Sequence, residues 1–224
     1  MPLRSKSAPR VGTRGEPEKT RAAILKAALH EFAAEGVAGA RTDYIARSAG
    51  VNKALLYYYF RDKESLYGAV IDDVFLGLRE RLLTVLNSSQ EPRAKILEYL
   101  GTHFDFIASD PLYPRLVQQE MMRAGRQKSP HLKRIAQNYF HPVYSRLVEV
   151  LQRGIDADEF RHVEPRRFAM MMAAAVVHYF NSLPLARLMG NNDPLAPDCV
   201  AAQRAAVLDF ITHALFRQPP ERES

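Results

Sequence analysis

The sequence predicts an all-α chain, with a small N-terminal three-helix unit followed by a larger helical body, about nine helices in total. Three observations lead there. Apolar residues recur at three- and four-residue spacing through most of the 224 residues, which is the pattern of helices that bury one stripe. The 11 glycines and 14 prolines fall mainly between these periodic segments. No segment alternates β-branched and polar residues as a half-buried strand would.

Residues 1–15 carry Arg4, Lys6, Arg10 and Arg14 with no acid, among Pro, Ser and Gly, and read as a disordered basic arm. Such an arm is either a DNA contact or a solvated tail. Residues 16–62 form the three-helix unit. Its first helix opens at Pro17, turns Ile24, Leu25, Ala28, Leu29 and Phe32 inward, and closes at Gly36.

The second and third helices make a helix-turn-helix. Thr42 is the expected N-cap of a helix whose inward residues are Ile45, Ala46 and Ala49, and Gly50 supplies the left-handed residue that stops it. Val51 plugs the corner and Asn52 caps the next helix at Lys53. Leu56 and Phe60, four apart, share its inner side. At about 100° per residue, Ala54, Leu55, Tyr57 and Tyr58 fall on the outer side, where an ordinary surface helix carries Lys, Glu or Gln. Lysine and tyrosine donate to phosphates, Ala54 allows close approach to base edges, and Leu55 suits a thymine methyl. A packed helical hairpin with buried aromatics is the structural alternative.

Residues 63–216 form the body. Asp62 can cap a long helix from Lys63 to about Leu86, with Leu66, Val70, Val74, Leu78 and Leu82 along one face. Pro92 opens a helix to Ala108 with two apolar faces, which makes it central. A short helix covers Leu116 to Met122, and a loop Gly125 to Ser129. Ser129-Pro130 then starts a helix that ends at Gly154 and is kinked by Pro142. Pro165 opens a helix, apolar all round through Met170, Met171, Met172 and the alanines after them, that should be buried on every side. The last helix starts at Pro197, and residues 217–224 form a flexible tail.

Charge distribution narrows the function. Residues 1–63 hold 12 Lys and Arg against 6 Asp and Glu, whereas residues 64–224 hold 19 of each. The entire excess lies in the helix-turn-helix part, which favours nucleic acid as partner and implies salt-sensitive binding. One cysteine, Cys199, excludes an intrachain disulfide and any C-x-x-C motif. The apolar run Phe168 to Phe180 is too short to span a bilayer, so a soluble, cytoplasmic protein without membrane contact is expected. Enzyme motifs are missing: there is no G-x-S-x-G, H-E-x-x-H, P-loop or dinucleotide loop. No catalytic residue, cofactor or metal ligand is therefore assigned.

Thr42, Ile45, Ala46, Ala49, Gly50, Val51, Lys53, Leu56, Tyr57, Phe60, Lys63 and Leu66 together closely resemble the DNA-binding signature of the tetracycline-repressor (TetR) family. The likeness covers roughly residues 17–70. Tyr59 stands where His or Arg is frequent, and Ser65 where a Glu often completes a capping box with Asp62, so a weaker start to the following helix is expected. The resemblance implies a ligand-responsive homodimeric repressor on a palindromic double-stranded operator. It points to Thr42, Asn52, Lys53, Ala54, Leu55, Tyr57, Tyr58, Tyr59 and Lys63 as DNA-binding residues. It also implies that the helices at about 165–183 and 197–216 pair with their copies across a two-fold axis. A small hydrophobic or aromatic effector would sit in the body, with Tyr99, His103, Phe106, Met121, Tyr139, Met171 and His178 as candidate contacts. The alternatives are an activator of the same fold, a redox sensor through Cys199, an enzyme, or a protein-interaction adaptor.

Overall fold

The computed structural model describes residues 16–125, 131–190 and 193–217. The basic arm, the loop and cap at residues 126–130 and most of the C-terminal tail lie outside them. Among the described residues the chain is all-α, with one isolated β-bridge between Phe160 and Phe216.

The first compact unit ends at Asp73. It contains α1 (Pro17–Gly39), α2 (Thr42–Ser48), α3 (Lys53–Tyr59) and the opening turns of α4 (Lys63–Leu86). Gly36 breaks the helical geometry of α1 with φ 66° and ψ 172°, at the position where the sequence ends that helix. The division falls inside α4, not at its start, because Leu66, Tyr67, Val70 and Ile71 are buried. The Tyr67 ring meets Phe32 edge-on at 5.0 Å between centroids.

The second unit begins at Val74. After α4 come α5 (Pro92–Ser109), α6 (Tyr113–Gly125), α7 (Leu132–Arg134), a π-helical turn (Ile135–Phe140) and α8 (His141–Asp156). They are followed by α9 (Pro165–Asn181), α10 (Leu183–Leu188) and α11 (Pro197–Leu215). If α7, the π turn and α8 count as one continuous helix, the described residues hold ten helices, the addition to the expected set being α10. Central α5 packs against α8, α9 and α11, as its two apolar faces require. None of the described helices is long and apolar enough to cross a membrane.

Three expectations need correction. Pro142 has no N–H to give the carbonyl of Asn138, and the chain widens just before it into a π turn that the single expected helix did not include. The freed Asn138 carbonyl accepts from an Arg79 Nη at 3.2 Å. Secondly, α8 runs past Gly154 to Asp156, because Gly154 serves packing: a Cβ there would lie 2.2 Å from the Phe160 ring. Thirdly, α9 is not buried on every side within one chain. Its Phe168, Met172, Val176 and Phe180 are buried, while Met170 and Met171 are 61% and 60% exposed.

Candidate functional site

The turn between α2 and α3 forms as its residues dictate. Gly50 adopts φ 70°, and the Val51 N–H donates to the Ala46 carbonyl at 2.9 Å. Asn52 Oδ1 then accepts the Leu55 N–H at 2.7 Å, capping α3. Leu56 is the buried anchor of α3, and Phe60 is buried just beyond its end. With the inner side fixed, Asn52, Lys53, Ala54, Tyr57 and Tyr58 are exposed and Leu55 and Tyr59 half-buried. Tyr58, at 82% exposure, is an aromatic ring nearly wholly in solvent. Lys53 Nζ lies 6.0 Å from the Tyr57 ring centroid, at the outer limit of a cation–π contact.

Two of the proposed DNA-binding side chains have other work. Thr42 is the first residue of α2 and not its N-cap, a position that Arg41 takes. The Thr42 side chain is buried, and its Oγ1 lies 3.1 Å from the Tyr57 hydroxyl. Lys63 Nζ donates to the carbonyls of Ala38 and Ala40 at 3.0 and 3.1 Å, so its charge closes the C-terminal end of α1. The start of α4 is also better capped than the sequence pattern implies. Asp62 Oδ1 accepts the Ser65 N–H at 2.7 Å while Ser65 Oγ accepts the Asp62 N–H at 3.0 Å, so serine completes the reciprocal box. These bonds from Ser65 hold the Asp62 carboxyl below its ordinary range.

Sequence reasoning passed over the outer face of α2. Tyr44 is 54% exposed and Arg47 is exposed, both on the helix that in a helix-turn-helix crosses the phosphate backbone. Their signal was the same one used for α3, an aromatic and a cation on the side away from Ile45. Arg41 is tied to Asp43 by an ion pair of 3.1 Å, and that hydrogen bond lowers the Asp43 pKa.

The second unit contains a cavity of about 310 Å³ between α4, α5, α6, the π turn, α8 and α9. Of the sequence-proposed ligand contacts, Tyr99, His103, Met121 and Tyr139 line it. Phe106, Met171 and His178 do not. Phe106 lies under the Arg81 guanidinium at 5.3 Å and edge-on to Tyr113, whereas Met171 and His178 are exposed. The contacts missed from sequence include Phe75, Leu78 and Leu82 on α4, Tyr113 on α6, and Met170 on α9. Phe75 is their hub, with ring centroids 5.0 Å from Tyr113 and 5.8 Å from Tyr139. His103 and Tyr99 are buried. Burial pushes the His103 imidazole down to about 4 and the Tyr99 and Tyr113 phenols up. Asp105, the acid nearest to His103 in sequence, is held by Arg204 through bonds of 2.8 and 3.0 Å, so the two form no acid–base pair. No cluster of three or more metal-ligating side chains occurs among the described residues.

Comparison with known proteins matches both units. The family model of the bacterial regulatory proteins, tetR family, covers residues 24–70, and that of the tetracyclin repressor-like C-terminal domain covers residues 92–211. The chain is 32% identical over 143 residues to the HTH-type transcriptional repressor SCO4008 of Streptomyces coelicolor, covering 64% of this chain and 70% of that one. It is 30% identical over 162 residues to the HTH-type transcriptional regulator RutR of Escherichia coli, covering 72% and 74%. The crystal structure of a transcriptional regulator, SCO4942 from Streptomyces coelicolor, superposes with a TM-score of 0.66 at 25% identity, over 89% of this chain and 99% of the other.

Proposed function

This chain belongs to the tetR family of bacterial regulatory proteins, and on that premise we propose that it is a homodimeric repressor of a palindromic operator, released by a small apolar effector. It is a DNA-binding transcriptional regulator and not an enzyme. The observation that carries the DNA-binding role is α3 itself. One buried residue, Leu56, anchors it, while Lys53, Ala54, Tyr57 and Tyr58 are left to solvent at and beyond its N-terminal end. In a helix-turn-helix that end enters the major groove. Lys53 and the tyrosine hydroxyls reach phosphates, and Ala54 and Leu55 lie against base edges.

Dimerisation is supported by the apolar face that α9 leaves uncovered. Met171 on α9 and Phe210 on α11 are each about 60% exposed. A second copy bringing the same face would bury them in an isologous interface. Two recognition helices related by that axis read half-sites about 34 Å apart, so the operator is an inverted repeat. An effector in the cavity acts by population shift. Switching from 1:99 to 99:1 requires a preference of about 10⁴-fold between the two states. Because α4 is one continuous helix with residues in both units, it is the covalent route for that coupling. Such a regulator works in the cytoplasm, where its operator is.

Selection of bound sequences from a random duplex pool, followed by gel shift and sedimentation, tests the reading. A two-fold inverted repeat bound by one dimer is expected. Selection of no duplex, or binding by a monomer to an asymmetric site, would overturn it.

A further inference from the structure

His103 is a buried polar side chain to which DNA binding and dimerisation give no task. It lies in the middle of α5, 5% exposed, on the wall of the cavity, and its Nδ1 has no hydrogen-bond partner among the described residues. Burial keeps the ring neutral at physiological pH. A neutral imidazole holds one N–H donor and one acceptor lone pair, and it is stable in an apolar wall only when these are met. The Tyr99 ring lies 5.8 Å from it, and the Tyr99 and Tyr113 phenols on the same wall are kept protonated by burial.

The imidazole and the two phenols are uncharged groups that both donate and accept. Phe75, Leu78, Val117, Leu147, Ala173 and Val177 supply apolar surface around them. The cationic side chain on the wall, Arg79, donates through one Nη to the carbonyl that Pro142 leaves free, and its buried Nε has no partner among the described residues. The volume, about 310 Å³, is at the lower end of the roughly 300–1,000 Å³ found for small-molecule sites.

We propose that the cavity takes a compact, mainly apolar molecule bearing a hydroxyl group, such as a phenol or an alicyclic alcohol, and that His103 hydrogen-bonds that hydroxyl. This rests on the effector reading above and specifies its chemistry. His103 fixes the orientation of the guest, and the hydrophobic walls supply most of its affinity.

Titration calorimetry on the full chain with naphthalene and 2-naphthol tests it. 2-Naphthol is expected to bind about tenfold tighter than naphthalene, the worth of one buried hydrogen bond. His103→Phe should bring 2-naphthol to the naphthalene level with an unchanged circular dichroism spectrum. In the wild-type chain, where folding is not in question, 2-naphthol should shift the His103 ring nitrogen resonances. Equal affinity for naphthol and naphthalene, binding of neither, or an unmoved His103 resonance would overturn the proposal. Operator binding followed in parallel separates the two readings. If naphthol binds through His103 without weakening DNA binding, the effector role fails and the hydroxyl site stands. If naphthalene displaces DNA as well as naphthol does, the effector role stands and the hydroxyl site fails.

Discussion

The Thr42 hydroxyl at the start of α2 and the Tyr57 hydroxyl on α3 lie 3.1 Å apart, bridging the two helices of the reading head. The bond holds the tyrosine ring, itself 41% exposed, in one position on the outer side of α3. Tyr57→Phe leaves the buried Thr42 hydroxyl without this partner and should cost about 1 kcal/mol in urea unfolding. Adding Thr42→Val should cost less than the sum of the two single changes. A double-mutant cycle giving no coupling would show that the bond does not hold in solution.

Lys53 and Lys63 should behave oppositely although both are lysines of the basic unit. Lys53→Ala removes a solvent-facing charge from the N-terminal end of α3. Operator affinity should fall, and the slope of log K against log salt should drop by about 1.8, about 0.9 for each of the two copies of Lys53 in a dimer, while stability stays within about 0.5 kcal/mol of the parent. Lys63→Ala deprives the Ala38 and Ala40 carbonyls of their donor and should destabilise by about 1 kcal/mol with little change in salt slope. Equal salt slopes in the two variants would contradict this division of labour.

Asn52 links stability and reading. Asn52→Ala removes the cap of α3 and should cost about 1 kcal/mol, whereas Asn52→Asp, which keeps an acceptor for the Leu55 N–H, should restore most of it. Asp places a negative charge near phosphate, however, so DNA affinity should not recover with the fold. Parallel recovery of stability and binding would argue against DNA contact at this end of α3.

His103 predicts a pH dependence. Its folded pKa of about 4 lies below the ordinary value of 6.5, so between these limits the unfolded chain binds a proton that the native chain refuses. Stability should therefore be full above pH ~6.5 and fall as pH drops toward 4, by a few kcal/mol at most. Urea midpoints measured against pH should show this slope in the wild-type chain and a flatter one in His103→Phe. Identical slopes would mean that the ring is solvated.

Gly154→Ala tests the packing at the end of α8. Alanine suits a helix better by about 1 kcal/mol, but its methyl would lie 2.2 Å from the Phe160 ring, which stacks on Phe216 at 5.3 Å. Overpacking should win, for a net loss of about 1–3 kcal/mol. A stabilised variant would show that Phe160 can move aside.

The sequence by itself determined the local structure. Gly50 as the left-handed stop, Asn52 as a cap, Leu56 and Phe60 on one side of α3, and the proline openings of α1, α5, α9 and α11 depend on residues within a few positions of each other. Such rules need no knowledge of the rest of the fold. From these came the helix-turn-helix, the outward tyrosines and the family resemblance. Tertiary structure decided how side chains with several uses are spent. Thr42 turns to Tyr57, Lys63 closes α1, and Arg79 answers the carbonyl freed by Pro142, all through partners 15 to 59 residues away. The cavity wall was decided in the same way. Met170 faces it and Met171 does not, because one residue is about 100° of helix, and only the packing of α9 against its neighbours sets which side is inward.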